Sequence, residues 1–289
     1  MGVRNNYRSG MPVPEAFFKD LAHGFKALKH FFLHGFKVKT IYVFPDYPSK
    51  KTSIFKVADV IKNNLTNGSK KNARLYVYWE DKTLGNPDKY LSEGDEQKKI
   101  LNYHCRDISK EKVDAAIQKV FGYSTFVRPN EFVGKAVEKS DINAMHDGRT
   151  VELPLTDTEP GKIYQILIDN SISEEEVLDY RIPIVEEALD FVYLKYKKRE
   201  IRFDNVTYKV EMKDATAVFS ADEIRLINEF AKEFELNYGE LDILRDKQSK
   251  KIYIIDVNKT PYGPPAGLDK ENSKIAIERT AKKFKQAYL

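Results

Sequence analysis

From Pro14 to His34 the large apolar residues Phe17, Leu21, Phe25, Leu28 and Phe32 recur every three or four positions, the spacing that aligns them on one face of a helix. Pro14 suits the first turn. Such a stripe is expected to dock against protein, either the chain's own core or a second subunit, with peripheral contact to a membrane surface through residues 14–34 as the competing reading. The pattern then alternates. Lys39–Phe44 reads as a strand, Ser53–Leu65 as a helix and Ala73–Trp79 as a strand, which implies a βαβ unit and a parallel sheet. Pro87–Gln97 is polar and reads as a loop. Ser109 caps a helix running to Phe121, with Lys112 where a full capping box would have Glu.

From Phe132 onward β-branched and aromatic runs dominate. Lys135–Lys139, Lys162–Ile168, Tyr180–Val185, Phe191–Lys197 and Val206–Glu211 are expected to be strands of a mostly antiparallel block. Ser220 with Glu223 forms a capping box at the head of a helix to Leu236, and Glu271–Leu289 reads as a terminal helix.

Composition narrows the classes. A chain of 289 residues with 42% hydrophobic content buries a large core, and 48 basic against 44 acidic residues give a mixed surface suited to anionic small molecules. No zinc-finger, RNP-type or helix-turn-helix pattern supports nucleic-acid binding. No apolar run reaches transmembrane length and Met1 to Met11 hold no signal-peptide core, so a cytoplasmic address is expected. The single cysteine, Cys105, reads as a buried small hydrophobe.

The most informative stretch is Gly239-Glu240-Leu241-Asp242-Ile243-Leu244-Arg245, a polar turn, then Ile252-Tyr253-Ile254-Ile255-Asp256-Val257-Asn258. Two alternating runs around a turn make a hairpin. If Asp242 lies opposite Asp256, Glu240 lies opposite Asn258, and Leu241, Ile243, Tyr253, Ile255 and Val257 share the other face. A slip of one residue would mix acids with the apolar set. Three carboxylates and an amide on one face repel unless a cation compensates, and oxygen donors of this kind suit magnesium. The alternative is a solvated face neutralised by Lys and Arg.

This hairpin resembles the metal-binding strands of ATP-grasp enzymes, where an Asp and a following acid-x-Asn hold the magnesium that bridges the nucleotide phosphates. Asp242, Asp256 and Asn258 match that trio, and Thr260-Pro261-Tyr262-Gly263-Pro264-Pro265 resembles the loop that often follows. Glu240, a candidate fourth ligand, stands where many members carry an Arg, so Arg199 or Arg202 would have to supply that guanidinium. Val137-Glu138-Lys139-Ser140 is similar to the strand whose lysine reaches the phosphates. The loop 141–149 takes the place of a glycine-rich covering loop but has one glycine, leaving Asn143, His146 and Arg149 as side-chain donors, with His146 also a candidate catalytic group. Gln165, Ile166, Leu167 and Ile168 resemble the hinge strand that binds adenine, with Asp169 on the ribose. Asp179-Tyr180-Arg181 resembles the family's Asp-x-Arg strand start, and Lys195 and Lys197 are expected at the phosphates, Lys195 with Lys139 in a catalytic role.

The resemblance implies an α/β and α+β architecture: a helical segment (1–36), a βαβ domain (37–130), and two α+β subdomains clasping the nucleotide, 131–205 with phosphate loop and hinge, 206–289 with the metal site. It implies ATP and Mg2+ as cofactors. The implied activity is an ADP-forming ligase that phosphorylates a carboxylate to an acylphosphate, which an amine or other nucleophile attacks. A kinase acting on a small-molecule or sugar hydroxyl, and a non-catalytic nucleotide- or partner-binding module, are the alternatives. The acceptor is an unidentified small molecule, and homo-oligomerisation is left open. Tyr47, Trp79, Glu80 and Asp81 lie near the strand ends where parallel sheets bind ligands.

Overall fold

The computed structural model describes residues 39–289 apart from 71, 143, 144, 146 and 205 and the side chain of 96, together with 13, 14, 17, 18, 21 and 25. The described residues form three sheets. The first holds β1 (Thr40–Pro45), β2 (Asn64–Thr66), β3 (Ala73–Trp79) and β4 (Ile100–Leu101), all parallel, in the order β2-β1-β3-β4. The second is antiparallel, β6-β5-β7, from β5 (Gly134–Ser140), β6 (Arg149–Leu153) and β7 (Lys162–Ile166). The third, also antiparallel, runs β11-β10-β8-β12-β13, with β9 (Glu187–Ala188) beside β8. Its strands are β8 (Glu176–Val185), β10 (Phe191–Lys198), β11 (Lys209–Asp214), β12 (Tyr238–Arg245) and β13 (Ile252–Asn258). Helices α1 (Ser53–Val60), α2 (Lys110–Phe121), α3 (Ala221–Glu233) and α4 (Lys270–Tyr288) pack on these sheets.

Alternation decides which face each strand buries. In β1 and β3, Ile41, Val43, Leu75 and Val77 join Ile54 and Val57 of α1 and Phe284 of α4 in one core, while Tyr42, Phe44, Tyr76 and Tyr78 form an aromatic cluster on the opposite face. The helix expected to run to Leu65 stops at Val60. Lys62 turns into the left-handed region (φ 58°), and Asn64–Thr66 then pair beside β1 as a short strand. The third sheet buries Ile182, Leu194, Leu241 and Ile243 under Ile227 and Phe230 of α3 and Val113 and Ile117 of α2. Cys105 lies in that core, 1% exposed.

The expected division at residue 205/206 falls inside a sheet. β8 and β10 pair with β12 and β11, so the change from the second sheet to the third comes between Ile166 and Glu176. In the hairpin, Glu240 lies opposite Asn258, Leu241 opposite Val257 and Asp242 opposite Asp256, as the pleat requires. A bulge follows, because Ile243 pairs with Ile254 and leaves Ile255 as the extra residue. The core face is therefore Leu241, Ile243, Ile252, Ile254 and Val257. Tyr253 and Ile255, expected on that face, join Leu244 and Ile168 in a separate cluster.

Of the amphipathic segment, residues 13, 14, 17, 18, 21 and 25 are helical, and Phe17, Leu21 and Phe25 are exposed rather than docked on the chain's own core. Leu28 and Phe32 lie outside the described residues. No helix among the described residues is long and apolar enough to cross a membrane.

Asn102 locks the first sheet to the third. Fully buried just after β4, at φ 57°, it donates through Nδ2 to the Tyr238 carbonyl (2.7 Å) and accepts at Oδ1 from the amides of Asn237 and Tyr238 (3.0 Å each). Its own amide donates to Asn237 Oδ1 at 2.9 Å. Removing the side chain leaves buried backbone groups unpaired, so Asn102→Ala is expected to lower unfolding free energy by about 3 kcal/mol. Urea denaturation followed by tyrosine fluorescence checks this, and a loss under about 1 kcal/mol would exclude the locking role.

Candidate active site

Between the second and third sheets lies a cleft of about 450 Å³. Its floor is one pleat face of the third sheet. Alternation brings Lys195 and Lys197 from β10, Asp179 and Arg181 from β8, Asp242 from β12, and Asp256 and Asn258 from β13 to that face. Its roof is β5, which presents Val137 and Lys139 to the cleft. Glu138, between them, faces away and pairs with Arg149 at 2.7 Å.

One end of the cleft is apolar and the other is charged. Val137, Ile166, Leu167, Ile168, Leu244 and Ile255 line the apolar part, and Gln165 beside them is held by a 2.7 Å bond from Nε2 to Thr125 Oγ1. Leu244 reaches the cleft by alternation from Asp242, and Ile255 through the bulge after Asp242. At the mouth Gly148 meets Phe203 so closely that a β-carbon would stand 3.2 Å from its Cδ1, which explains the single glycine of that loop.

At the charged end each hairpin acid already has a cation. Arg181, directly across from Asp242, clamps both of its oxygens, Nε to Oδ1 at 2.6 Å and NH2 to Oδ2 at 2.7 Å. Burial alone would raise the Asp242 carboxyl, but Arg181 and then Lys195 hold it well below the usual carboxylate range. Lys110, the first residue of α2, bonds Asp256 Oδ1 at 2.5 Å. Its helix is fixed to the roof, because Asp141 Oδ1 accepts from the amides of Lys110 and Glu111 at 2.6 and 3.2 Å. Lys197 pairs with Asp179 at 2.9 Å. Lys139 and Lys195 are different: both line the cleft and neither has an ion pair or hydrogen bond to the described residues. Burial lowers both, Lys139 to about 8 with help from the neighbouring Lys110.

Several expected site residues stand elsewhere. Glu240 does not line the cleft: it is 3% exposed, 3.6 Å from Arg181 NH1, and burial pushes its carboxyl up to about 7 against the pull of Arg181. The bulge comes after Asp242, so Glu240 keeps the face, but it sits under Gly263 of the following loop. Arg199 is exposed, and among the described residues its side chain bonds only the Glu174 carbonyl, at 3.5 Å. Arg202 does line the cleft, donating to Ile168 O and Asn170 Oδ1 at 2.7 and 2.6 Å. Arg149 is drawn off by Glu138 and by Glu159 at 3.0 Å, on the face of the small sheet turned from the cleft. Asp169 closes a turn, its Oδ1 accepting from the Ser171 amide, and Asn170 takes the cleft-lining place. Asn143 and His146 lie outside the described residues. Of the four strand-end residues only Asp81 lines the cleft. Trp79 and Tyr47 pack in the core, and Glu80 is enclosed by Tyr78, Tyr90 and Lys82.

Lys110, Asn170 and the pairing role of Arg181 were not read from the sequence. Lys110 is 146 residues from Asp256 and its only local signal was the Ser109 cap. For metal the donor set is narrow, since no three His, Cys, Asp or Glu side chains converge among the described residues. Asp256 with Asn258 remains, which fits magnesium, an ion that takes one or two protein donors and completes its shell with phosphates and water.

No protein-family model matches the sequence, and neither does any curated protein. Solved structures do. The D-alanine–D-alanine ligase of Bacillus anthracis complexed with ATP matches with a TM-score of 0.53 at 13% identity, over 87% of this chain and 96% of that one. The RimK domain ATP-grasp protein of Sphaerobacter thermophilus matches at 0.52 and 8% identity, over 86% and 99%. The ATP-grasp ligase PsnB, complexed with a phosphomimetic variant of its minimal precursor, Mg and ADP, matches at 0.52 and 12%, over 86% and 99%. The chain has the ATP-grasp fold.

The lowered Lys139 would give binding of a phosphate group in this cleft a pH dependence. Below pH about 7 the amine is charged with or without ligand, and affinity is flat. Above about 8 the free protein has lost that proton, while a bound phosphate restores it, so binding takes up a proton and affinity falls as pH rises. Calorimetry of ATP binding at pH 8.5 in two buffers of different ionisation enthalpy should report this uptake in the wild type and none in Lys139→Met. Equal uptake in both proteins would assign the proton elsewhere.

Proposed function

We propose that this protein is a magnesium- and ATP-dependent ligase of ATP-grasp type, which activates a substrate carboxylate as an acylphosphate for attack by an amine or other nucleophile and releases ADP. The observation that carries the reading is the pair of unpartnered cations, Lys139 on the roof and Lys195 on the floor, beside the only cleft-lining carboxylate–carboxamide pair in acid-x-Asn spacing among the described residues. Two uncompensated ammonium groups in a half-dry cleft attract a polyanion far more strongly than on a wet surface. The naming of the structural neighbours as ligases supports the same reading over a kinase.

The chain's own residues take these parts. The apolar end, with the backbone of Gln165 to Ile168, receives the base, and Asn170 and Asp179 face the sugar. Lys139, Lys195 and Arg202 hold the phosphates. Asp256 and Asn258 hold magnesium, which when bound neutralises charge on the transferring phosphoryl group. Arg181 keeps Asp242 ionised and in place, with a lone pair left on each carboxylate oxygen. As the acceptor oxygen bonds to the terminal phosphorus, the bond to the ADP oxygen breaks. Attack by the nucleophile on the acyl carbon then expels phosphate. No protein nucleophile is needed, so the catalysis is positional and electrostatic.

Asp256→Asn is expected to lower ADP release at least about a thousandfold, because a charged donor is lost and Lys110 is left without its counter-ion. The fold should survive, since the carboxamide still accepts from Lys110. The measurement is a coupled ADP assay over small carboxylates with and without amines, beside a melting curve. A folded, fully active Asp256→Asn protein would end the metal assignment. ADP formed with a stable phosphorylated acceptor, and no orthophosphate when amine is added, would replace the ligase by a kinase.

A further inference from the structure

One polar side chain stands among the aliphatic residues at the apolar end of the cleft. Gln165 is paired with Val137 across the β5–β7 ladder and shares its pleat face with Lys139, so its amide lies on the cleft side of the small sheet. It is 5% exposed, and the end group is not free to turn.

The reason lies outside the cleft. Asp114 of α2, 3% exposed, accepts at Oδ1 from the Thr125 amide and hydroxyl at 2.6 and 2.7 Å. Its Oδ2 accepts from Ser124 Oγ and Gln118 Nε2 at 2.7 and 2.8 Å. A carboxylate only accepts, so the single hydroxyl proton of Thr125 points at Asp114 and only lone pairs remain for Gln165. The Gln165 amide must therefore present Nε2 to Thr125 Oγ1, at 2.7 Å, and turn Oε1 the other way. The opposite orientation would set two oxygens together with no proton between them. Oε1 has no hydrogen bond to the described residues, and the side chains of Val137, Ile166 and Leu244 that line this end of the cleft offer it none.

We propose that Asp114, Thr125 and Gln165 form a specificity relay, which fixes a lone acceptor at the base end of the cleft and so selects adenine, with its amino donor, against 6-oxo purines such as hypoxanthine and guanine. Asp114 and Thr125 are positioning residues that act through Gln165. The inference rests on the nucleotide reading of the cleft and adds to it which buried residues decide the base. An amino group satisfies Oε1, whereas a 6-oxo group brings two acceptors together in apolar surroundings and leaves both unpaired.

The test is calorimetric binding, with magnesium, of adenosine and inosine diphosphates, which differ only at the 6-position of the base and the adjoining ring nitrogen. The wild type should bind the adenosine form about thirtyfold more tightly, the ratio usual when one buried hydrogen bond is exchanged for an unpaired acceptor. Thr125→Val keeps the shape of the residue but removes the lone pairs that hold Nε2, so the amide can turn either way and the ratio should fall below about threefold. Thr125→Ser restores the hydroxyl and should restore the ratio, which a role in folding alone would not do. Gln165→Met removes the acceptor itself and should collapse the ratio as Thr125→Val does, whether or not the valine variant folds. A wild type that binds both diphosphates alike, or a folded Thr125→Val protein with the wild-type ratio, overturns the relay and leaves the nucleotide site standing. A wild type that binds neither diphosphate removes the nucleotide site, and the relay with it.

Discussion

The rest of the site depends on the repulsion between two carboxylates. Asp242 and Asp256 face each other across the hairpin on a surface that is largely shielded from water, and in that position neither tolerates an uncompensated neighbour. Two different devices relieve it. Asp242 is held by Arg181 from the adjacent strand, a cross-strand partner fixed by sheet register, and Asp256 by Lys110 from a helix far away in sequence. Those two cations are committed, as are Lys197 to Asp179 and Arg202 to Ile168 and Asn170, whereas Lys139 and Lys195 face the cleft without an ion pair to the described residues.

Glu240 belongs to the same electrostatic system without belonging to the cleft. It shares the Arg181 guanidinium at longer range, and its Oε2 is buried without a hydrogen bond. The position that would carry an Arg in many ATP-grasp enzymes thus carries an acid, and an Arg on the neighbouring strand stands beside it. The bulge after Asp242 has a comparable effect on the apolar end. A regular strand would point Ile255 into the core with Ile243, whereas one extra residue turns Ile255 toward the cleft beside Leu244.

The parallel sheet contributes mainly by where it docks. Asn102 fixes the end of β4 to the start of β12, and Ser53 Oγ and Tyr238 OH meet at 2.8 Å between α1 and the hairpin. Lys259, between Asn258 and Thr260, is wholly buried with its ammonium 5.2 Å from the centre of the Tyr78 ring. These contacts place Asp81 at one edge of the cleft and keep Glu80 and Trp79 out of it.

The sequence by itself determined what depends on local period and on one tight turn. The strands β1, β3, β10 and β12–β13, the capped helices α2 and α3, and the pairing of Glu240 with Asn258 and Asp242 with Asp256 all follow from alternation, capping chemistry and the cost of burying an acid. Lys139, Lys195 and Lys197 on the cleft side follow from the same alternation once their strands are known. What only the tertiary structure decided depends on contacts between distant segments. The short strands β2, β4 and β9 exist because neighbouring strands satisfy their backbone, not because their residues demand it. The bulge at Ile255 is a choice between two registers that the apolar pattern of β13 permits equally. Arg149 and Lys110 carry the same charge, yet one is drawn to Glu138 on the far face and the other to Asp256 across 146 residues of chain, a difference set by which acid the fold brings within reach.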